Sequence, residues 1–531
     1  MKRLYGTLHI HPIVAHILVS KGIQTLQEAE AFLYPKLSQL TDPFDITHMR
    51  EAIDLLERAI QEQWAISIVG DYDVDGITST TLLVRLLRHF GLSPQYFIPR
   101  RFTEGYGMST EIVDRMLQHS APRLVIALDC GTNATVQIQN LRTLGIDVLI
   151  IDHHQSNDEL PTDCILINPH VFDAQSDPPW RYLCTAGLMF KLMHALLKHL
   201  RIQKEPRASS FSIPKELDLI AMGTIADLVP LVGENRILAH FGLRNFSQKR
   251  RPGIDALCRI TQILPEQAVT PEDIAFKLGP RINASGRLAD ALVPVNMLLS
   301  EDIQEASALA QNLDEMNAER QKIERSILAE AEGMFKKIEH LPGIFFSNPA
   351  WHSGIVGIVC GKFARDYRRP CVVLGEERGL AKGSGRSVSG YDLVEILTSC
   401  AHLLESWGGH PMAVGISLKP ENVPSFQEAF QASVQAYRQK LGQDNDDFWI
   451  SKNILIDEID EHFLSDLEKL QPYGQDNPEP IFVLMHMILT EEAEIFGKNK
   501  QHLRFLIQHQ NQVPLLCIYW NGIHHIPPVH R

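Results

Sequence analysis

Apolar residues along this chain follow three rhythms. Residues 12 to 34 and 47 to 63 predict helices, separated by the punctuated piece YPKLSQLTDPFD. A strand-loop-helix rhythm follows: AISIVG (65–70) predicts a strand and ITSTTLLVRLLRHF a helix. The short runs YFIP, LVIALDCG and DVLIIDHH then alternate with helical patterns at 109–118 and 134–144. Continuous apolar strands bounded by helices predict a mostly parallel sheet covered on both faces.

From about 184 to 340 the pattern turns largely helical. The stretch LLSEDIQEASALAQNLDEMNAERQKIERSILAEAEGMFKK has no proline and one glycine, near its end. It predicts one long helix or a helix pair bridging two lobes, with its charges forming a solvated face. A second α/β lobe begins near 343, where GIFFSN, PCVVLG and AVGISL alternate with helical candidates at 355–366 and 391–404. YRQKLGQDNDDFW reads as a linker, and the runs IFVLMHMIL and HLRFLIQ after 452 predict a small β-rich module. Neither an internal repeat nor a low-complexity tract is present.

At 531 residues the chain predicts two to four domains. Its net charge of -14 argues against indiscriminate coating of nucleic acid. It leaves room for a nucleic-acid enzyme, because binding depends on a local basic groove and divalent cations offset an acidic site. The eight cysteines form no CxxC pair and several lie in apolar runs, the pattern of buried thiols in a reducing compartment. The start, MKRLYGTLHIHPIVAHILVSKG, is interrupted by histidines and a proline and makes a poor signal peptide. With no run of about 18 apolar residues elsewhere, the expectation is a cytoplasmic protein without a membrane span.

Chemistry concentrates at the predicted strand ends, where open parallel sheets collect ligands. VGDYDVDGITST places Asp71, Asp73 and Asp75 behind the first strand, followed by Gly76. Three carboxylates so close repel unless protons, cationic side chains or metals compensate them; an acidic solvent loop or a helix N-cap is the plainer alternative. Asp129 follows the second long run, and Asp152, His153 and His154 follow the third. Asp227, in AMGTIADLVPL, completes the set. Mixed carboxylate and imidazole ligands suit Mn²⁺ or Mg²⁺, with zinc or iron less easily excluded. The number of groups exceeds the needs of one ion, so a two-ion phosphoryl-transfer centre is expected.

Later segments read as phosphate-handling. RRFTEGYG holds Arg101; KLGPRINASGRLAD holds Arg281, Asn283 and Arg287; WHSGIVGIVCGKFAR opens with His352 ahead of a helix. GSGRS contributes Ser384 and Arg386, and ESWGGHPMAVG contributes Gly408, Gly409 and His410. Arginine grips phosphate bidentately and glycine lets the backbone approach, although helix ends and solvent-facing charge would account for each segment alone. None is a P-loop or a strand-linked GxGxxG. Their separation from the acidic loop predicts two lobes closing on a substrate longer than one phosphate.

DYDVDG, the aspartate in ALDCG, DHH and GTIAD resemble the motifs of the DHH phosphoesterase superfamily, and GSGRS with GGHPMAVG resembles its DHHA1 domain. RFTEGYG, GPRINASGR, WHSGIVGIV and PYGQDNPEP narrow the resemblance, over nearly the whole chain, to the RecJ family of bacterial exonucleases specific for single-stranded DNA. That resemblance implies an α/β, two-lobed DHH plus DHHA1 phosphoesterase core with a C-terminal OB-like module. Its expected divisions are an N-terminal helical segment (1–63), a DHH catalytic domain with helical extension (64–297), a connecting helix region (298–340), DHHA1 (341–440), a linker (441–451) and the OB-like module (452–531). The activity implied is 5′-to-3′ removal of 5′-mononucleotides with two Mn²⁺ or Mg²⁺ ions, in DNA repair and recombination.

Carried onto this chain, the family roles make Asp73, Asp75, Asp129, His153 and Asp227 metal ligands, with Asp71 as ligand or close support. Asp75, Asp129 and His154 are the catalytic set, His154 on the reacting phosphate; Arg101, Arg281, Asn283, Arg287, His352, Ser384, Arg386, Gly408, Gly409 and His410 face the substrate. Expected partners are single-stranded DNA with a free 5′ end, a single-strand-binding protein and a RecQ-type helicase, the protein working as a monomer. The final IHHIPPVHR does not read as a closing strand, so a shortened OB-like module is expected, with weakened DNA guidance or solubility. The alternatives are a related phosphoesterase acting on short oligoribonucleotides, cyclic dinucleotides or pyrophosphate, and an inactive DNA-binding scaffold.

Overall fold

The apolar run ISIVG forms a fully buried strand, β1 (Ile66–Gly70), because its side chains meet apolar helices on both faces. It lies in a computed structural model that describes the chain except residues 1–5, 101–103, 106, 157–158, 249, 289–290, 442–449, 499, 510–512 and 526–531. Arg101, most of the expected linker and the last six residues therefore lie outside the described residues. The chain divides into a larger unit, residues 40–445 with 474–476, and a smaller one, residues 1–39, 446–473 and 477–531.

In the larger unit β1 is joined by β2 (Gln95–Phe97), β3 (Leu124–Leu128), β4 (Asp147–Ile151) and β5 (Ile165–Ile167). All pairings are parallel and the order is β2-β1-β3-β4-β5. Chain direction across the sheet reverses between β1 and β3, the switch point where such sheets open a crevice beyond their strand ends. Val69, Val125, Ala127 and Ile150 pack against Ile112, Met116 and Ile138 on one face. The Val74–His89 helix starts immediately after the acidic loop and is buried over most of its length.

Charged residues also enter this core. Lys191 is fully buried, its Nζ donating to Thr41 O (2.9 Å), Thr41 Oγ1 (3.0 Å) and Glu234 Oε1 (2.8 Å). Thr41 N donates to the same Glu234 oxygen at 2.7 Å, so the network fastens the start of the unit to two of its helices.

Residues 303–338 form one continuous helix of 36 residues, which decides between a single helix and a pair. At 1.5 Å per residue it spans about 54 Å. The second sheet contains β6 (Ile344–Ser347), β7 (Cys371–Glu377), β8 (Leu380–Arg386), β9 (Ser406–His410) and β10 (Ala413–Leu418), ordered β6-β7-β8-β10-β9. Only β6 and β7 run parallel; the other neighbours are antiparallel. GSGRS and SWGGH, which read as phosphate-handling segments, lie largely in strands. The Val423–Leu441 helix seals this sheet with Phe426, Phe430 and Val434; YRQKL belongs to that helix and not to the linker.

The smaller unit has its own core. The 12–34 stretch is two helices, Pro12–Ser20 and Leu26–Leu33, broken at Gly22, whose φ of +83° suits glycine. Ile13, Val14, Ile17 and Leu33 pack with Ile454, Phe463 and Leu470 from the far end of the chain. β11 (Lys452–Ile454) pairs with β12 (Phe482–Leu484), while β13 (Ile488–Leu489), β14 (Glu494–Phe496) and β16 (Leu515–Tyr519) all pair with β15 (His502–Gln508). Phe482 lies edge-on to Phe463 at 5.6 Å, a packing role. All eight cysteines are free, and among the described residues no helix is long and apolar enough to cross a membrane.

Lys191→Ala is expected to destabilise the protein by about 3–5 kcal/mol in urea denaturation, because it leaves the buried Glu234 without its cationic partner. A loss below about 1 kcal/mol would show that the network is not a structural tie.

Candidate metal centre

Gly76 shapes the acidic loop. A β-carbon there would lie 2.5 Å from Asp71 O, so only glycine lets the helix start pass this close to the strand end. Asp73 is the N-cap of the Val74–His89 helix, its Oδ1 accepting from Gly76 N at 3.1 Å. The N-cap and metal readings are therefore compatible, because the carboxylate has a second oxygen.

Asp75 is buried in the first turn of that helix. Its Oδ2 accepts from Thr185 N (2.7 Å) and its Oδ1 from Ala186 N (2.8 Å), at the start of the Thr185–Ile202 helix. The two backbone donors, with the partial positive charge of a helix N-terminus behind them, hold the carboxylate in one orientation. Thr185 Oγ1 donates to Asp129 Oδ1 at 3.0 Å. Asp129 follows β3 in the left-handed conformation (φ +62°), which turns its buried side chain into the crevice.

His153 stands at the centre. Its Nε2 lies 3.3 Å from Asp129 Oδ1, 3.5 Å from Asp227 Oδ2 and 3.9 Å from Asp75 Oδ2. Burial and the neighbouring His154 hold its pKa below that of free imidazole, favouring the neutral, ligating form. His154 is oriented by Asp152, whose Oδ1 accepts from His154 Nδ1 at 2.7 Å and from His153 N at 2.8 Å. Although burial opposes it, the Asp152 contact raises His154 to about 9, so the ring is cationic at neutral pH. Burial would raise Asp152, but the hydrogen bond and charge of His154 outweigh it and hold the carboxyl low.

The other carboxyls move the opposite way. Burial, then repulsion by Asp227, raises Asp75 to about 6; burial, then Asp73, raises Asp227 to about 8. Asp129 is raised by burial and by Asp75. Three sets of donors each converge within 4.8 Å: Asp71, Asp73 and Asp129; Asp75, His153 and Asp227; Asp129, His153 and His154. Asp129 Oδ2 and His153 Nε2 are buried and have no hydrogen-bond partner among the described residues. Oxygen-rich donors with one or two imidazoles, carrying unbalanced negative charge, fit Mn²⁺ or Mg²⁺.

Beside the acidic loop a cavity of about 320 Å³ is lined by Asp71, Tyr72, Asp73, Asn283, Arg287, Gly357, Ser384 and Arg386. The structure thus brings Asn283, Arg287, Ser384 and Arg386 to the metal-ligand candidates. Arg287 Nη1 donates to Gly354 O at 2.8 Å, and Arg386 Nη1 donates to Gly385 O at 2.8 Å and to Ser384 Oγ at 3.2 Å. Arg281 is turned elsewhere: its guanidinium pairs with Asp314 on the long helix at 2.8 Å and donates to Lys277 O. His352 is outside the cavity lining, its Nδ1 accepting from Gly354 N at 3.2 Å.

Gly408 and His410 lie on edge strand β9, in register rows with Ser384 and Arg386 through Gly415 and Ala413 of β10. They share the face of the two cavity residues but sit two strands away. At Gly409 (φ +143°) a β-carbon would meet Ala413 O at 2.3 Å, so this glycine serves the hairpin. Sequence reasoning missed Thr185 and Ala186, which act through backbone amides; the small residues of CTAG before an apolar helix are their only trace.

Comparison with known proteins places three family models on the chain: DHH family, N-terminal domain at 65–224; DHHA1 domain at 342–436; RecJ OB domain at 450–531. The single-stranded-DNA-specific exonuclease RecJ of Bacillus subtilis is 35% identical over 98% of this chain, which spans 64% of that relative's length. The Escherichia coli protein of the same description is 34% identical over 95% of this chain and is itself 88% covered. The crystal structure of RecJ in complex with Mn²⁺ from Thermus thermophilus superposes with a TM-score of 0.82 at 28% identity, over 99% of this chain and 73% of that one.

Two outcomes test the centre. With Asp75 and Asp227 protonated up to about 6 and about 8, the metal-free folded chain binds protons that unfolded aspartates, titrating near 4, release. Its stability therefore falls as pH rises through that window. Mn²⁺ competes with those protons, so it should raise Tm more at pH 8 than at pH 6; equal increments would place binding elsewhere. Thr185→Val should weaken Mn²⁺ binding about 10- to 100-fold by calorimetry, and unchanged affinity would remove Thr185 from the support of Asp129.

Proposed function

The chain belongs to the RecJ family of metal-dependent DHH nucleases, and from that membership we propose that it hydrolyses single-stranded DNA from a free 5′ end, releasing 5′-mononucleotides. The observation that carries this reading is the shared cavity, lined by the carboxylates of Asp71 and Asp73 together with Arg287 and Arg386. That pairing of a cation-seeking wall with an anion-seeking wall suits a phosphodiester.

Asp71, Asp73, Asp75, Asp129, His153 and Asp227 would hold two divalent cations. Bound there, the ions supply Lewis-acid stabilisation of phosphoryl charge and an activated water nucleophile. Asp129 and His153, each belonging to two of these donor sets, would both take part in holding the ions. Asp75, clamped by two amides, keeps its oxygens in place while charge develops nearby. His154, cationic and steered by Asp152, presents its Nε2 proton to a phosphoryl oxygen. Arg287, Arg386, Asn283 and Ser384 bind and orient the phosphates, with His410 and His352 further along the strand.

A 5′-mononucleotide product requires attack at the phosphate following the terminal nucleotide and cleavage of its bond to the 3′-oxygen. The departing nucleotide keeps its 5′-phosphate and gains a 3′-hydroxyl; the remaining strand carries a new 5′-phosphate and re-enters. A monomer in the cytoplasm, cooperating with a RecQ-type helicase and a single-strand-binding protein in repair and recombination, completes the proposal.

Digestion of 5′- and 3′-labelled strands with Mn²⁺ or Mg²⁺, followed by product identification, tests it. The 5′ label should appear first as a mononucleotide, chelator should abolish release, and Asp75→Ala should lower the rate more than about 100-fold. Initial 3′-mononucleotides, or full activity in the variant, would sink the proposal.

A further inference from the structure

Phe276 is 76% exposed, among the most exposed large apolar side chains of the larger unit. It lies in a π-helical turn, Ile274–Leu278, that runs without a break into the Gly279–Leu288 helix. Single exposed apolar residues are ordinary on protein surfaces, so the position decides what this one means. Asn283 is seven residues on, about 10 Å away along the same continuous helix. Arg287 lies one turn beyond Asn283, and both line the cavity beside the acidic loop. A β-carbon at Gly279 would meet Val74 and Ala226, and one at Gly286 would meet the Tyr72 ring. The helix that Phe276 leads into therefore passes beside the metal-ligand candidates, while Arg281 turns away to Asp314.

The π turn inserts an extra residue into one helical turn, a distortion found mostly where it serves a site. Here it coincides with a solvent-exposed phenyl ring. We propose that Phe276 is a base-stacking platform of the single strand, supporting a nucleobase near the phosphate held by Asn283 and Arg287. A flat apolar face binds any base, which suits a nuclease that reads no sequence. The inference rests on the single-stranded-DNA reading of the same site and adds a residue that acts on the base, where the arginines act on the backbone.

Binding of a 3′-fluorescein single strand is measured by anisotropy in chelator, where no cleavage occurs, for the unmodified protein and for Phe276→Ala, Phe276→Trp and Phe276→Leu. Phe276→Ala should weaken binding about 5- to 150-fold. Phe276→Trp should restore it and Phe276→Leu should not, because an aliphatic chain packs without stacking. An abasic site moved along the strand should weaken the unmodified protein at one position and leave Phe276→Ala indifferent there. Mn²⁺ affinity equal to that of the unmodified protein shows the variants are folded. Affinity of Phe276→Ala within about twofold of the unmodified protein, or rescue by leucine equal to that by tryptophan, overturns the platform while leaving the nuclease reading intact. Failure of the unmodified protein to bind single strands overturns both.

Discussion

Repulsion among buried carboxylates that converge on one imidazole governs this molecule. Asp75, Asp129 and Asp227 each bring an oxygen within 3.9 Å of His153 Nε2, and Asp71 and Asp73 stand close behind. Two unit charges 4 Å apart repel by about 4 kcal/mol even at an effective dielectric of 20. The fold offsets part of this with fixed donors: the amides of Thr185, Ala186 and Gly76 and the hydroxyl of Thr185. What remains unbalanced is the driving force for binding divalent cations. Replacing these groups with apolar ones would stabilise the core and remove the function.

The same constraint explains why the ligands come from strand ends and helix starts. Parallel strands deliver side chains to one edge, and helix N-termini supply amides without the opposing charge that would close the site permanently. Arg287 and Arg386 share the cavity with Asp71 and Asp73 and are steered by backbone carbonyls. A direct ion pair there would neutralise both walls and leave little for a metal or a phosphate to do. The overall charge of -14 therefore coexists with a local anion-binding face.

Much of the centre was legible because its chemistry is local. DYDVDG, DHH and GTIAD name the candidate ligands, and the strand-loop-helix rhythm says they share an edge. Arg281 and Arg287 were not separable by reading, since they lie in one motif; six residues of helix turn them to different sides, one toward Asp314 and one toward the cavity. GSGRS and SWGGH read as phosphate-handling segments with no element assigned, since glycine disfavours strands, yet β8 and β9 use glycine for closeness, as where Gly383 faces Val373 O across the ladder. The N-terminal helices share a core with Phe463 and Leu470, a pairing across more than four hundred residues that no local pattern carries.

The sequence by itself determined which side chains are candidates for the chemistry and which segments become buried strands, because ligand type and hydrophobic period are properties of neighbouring residues. Tertiary structure alone decided which donors meet: the reversal between β1 and β3, the Thr185 amide on Asp75 and the orientation of Arg287. These depend on distances between residues far apart in the chain, and such distances exist only once the core has closed.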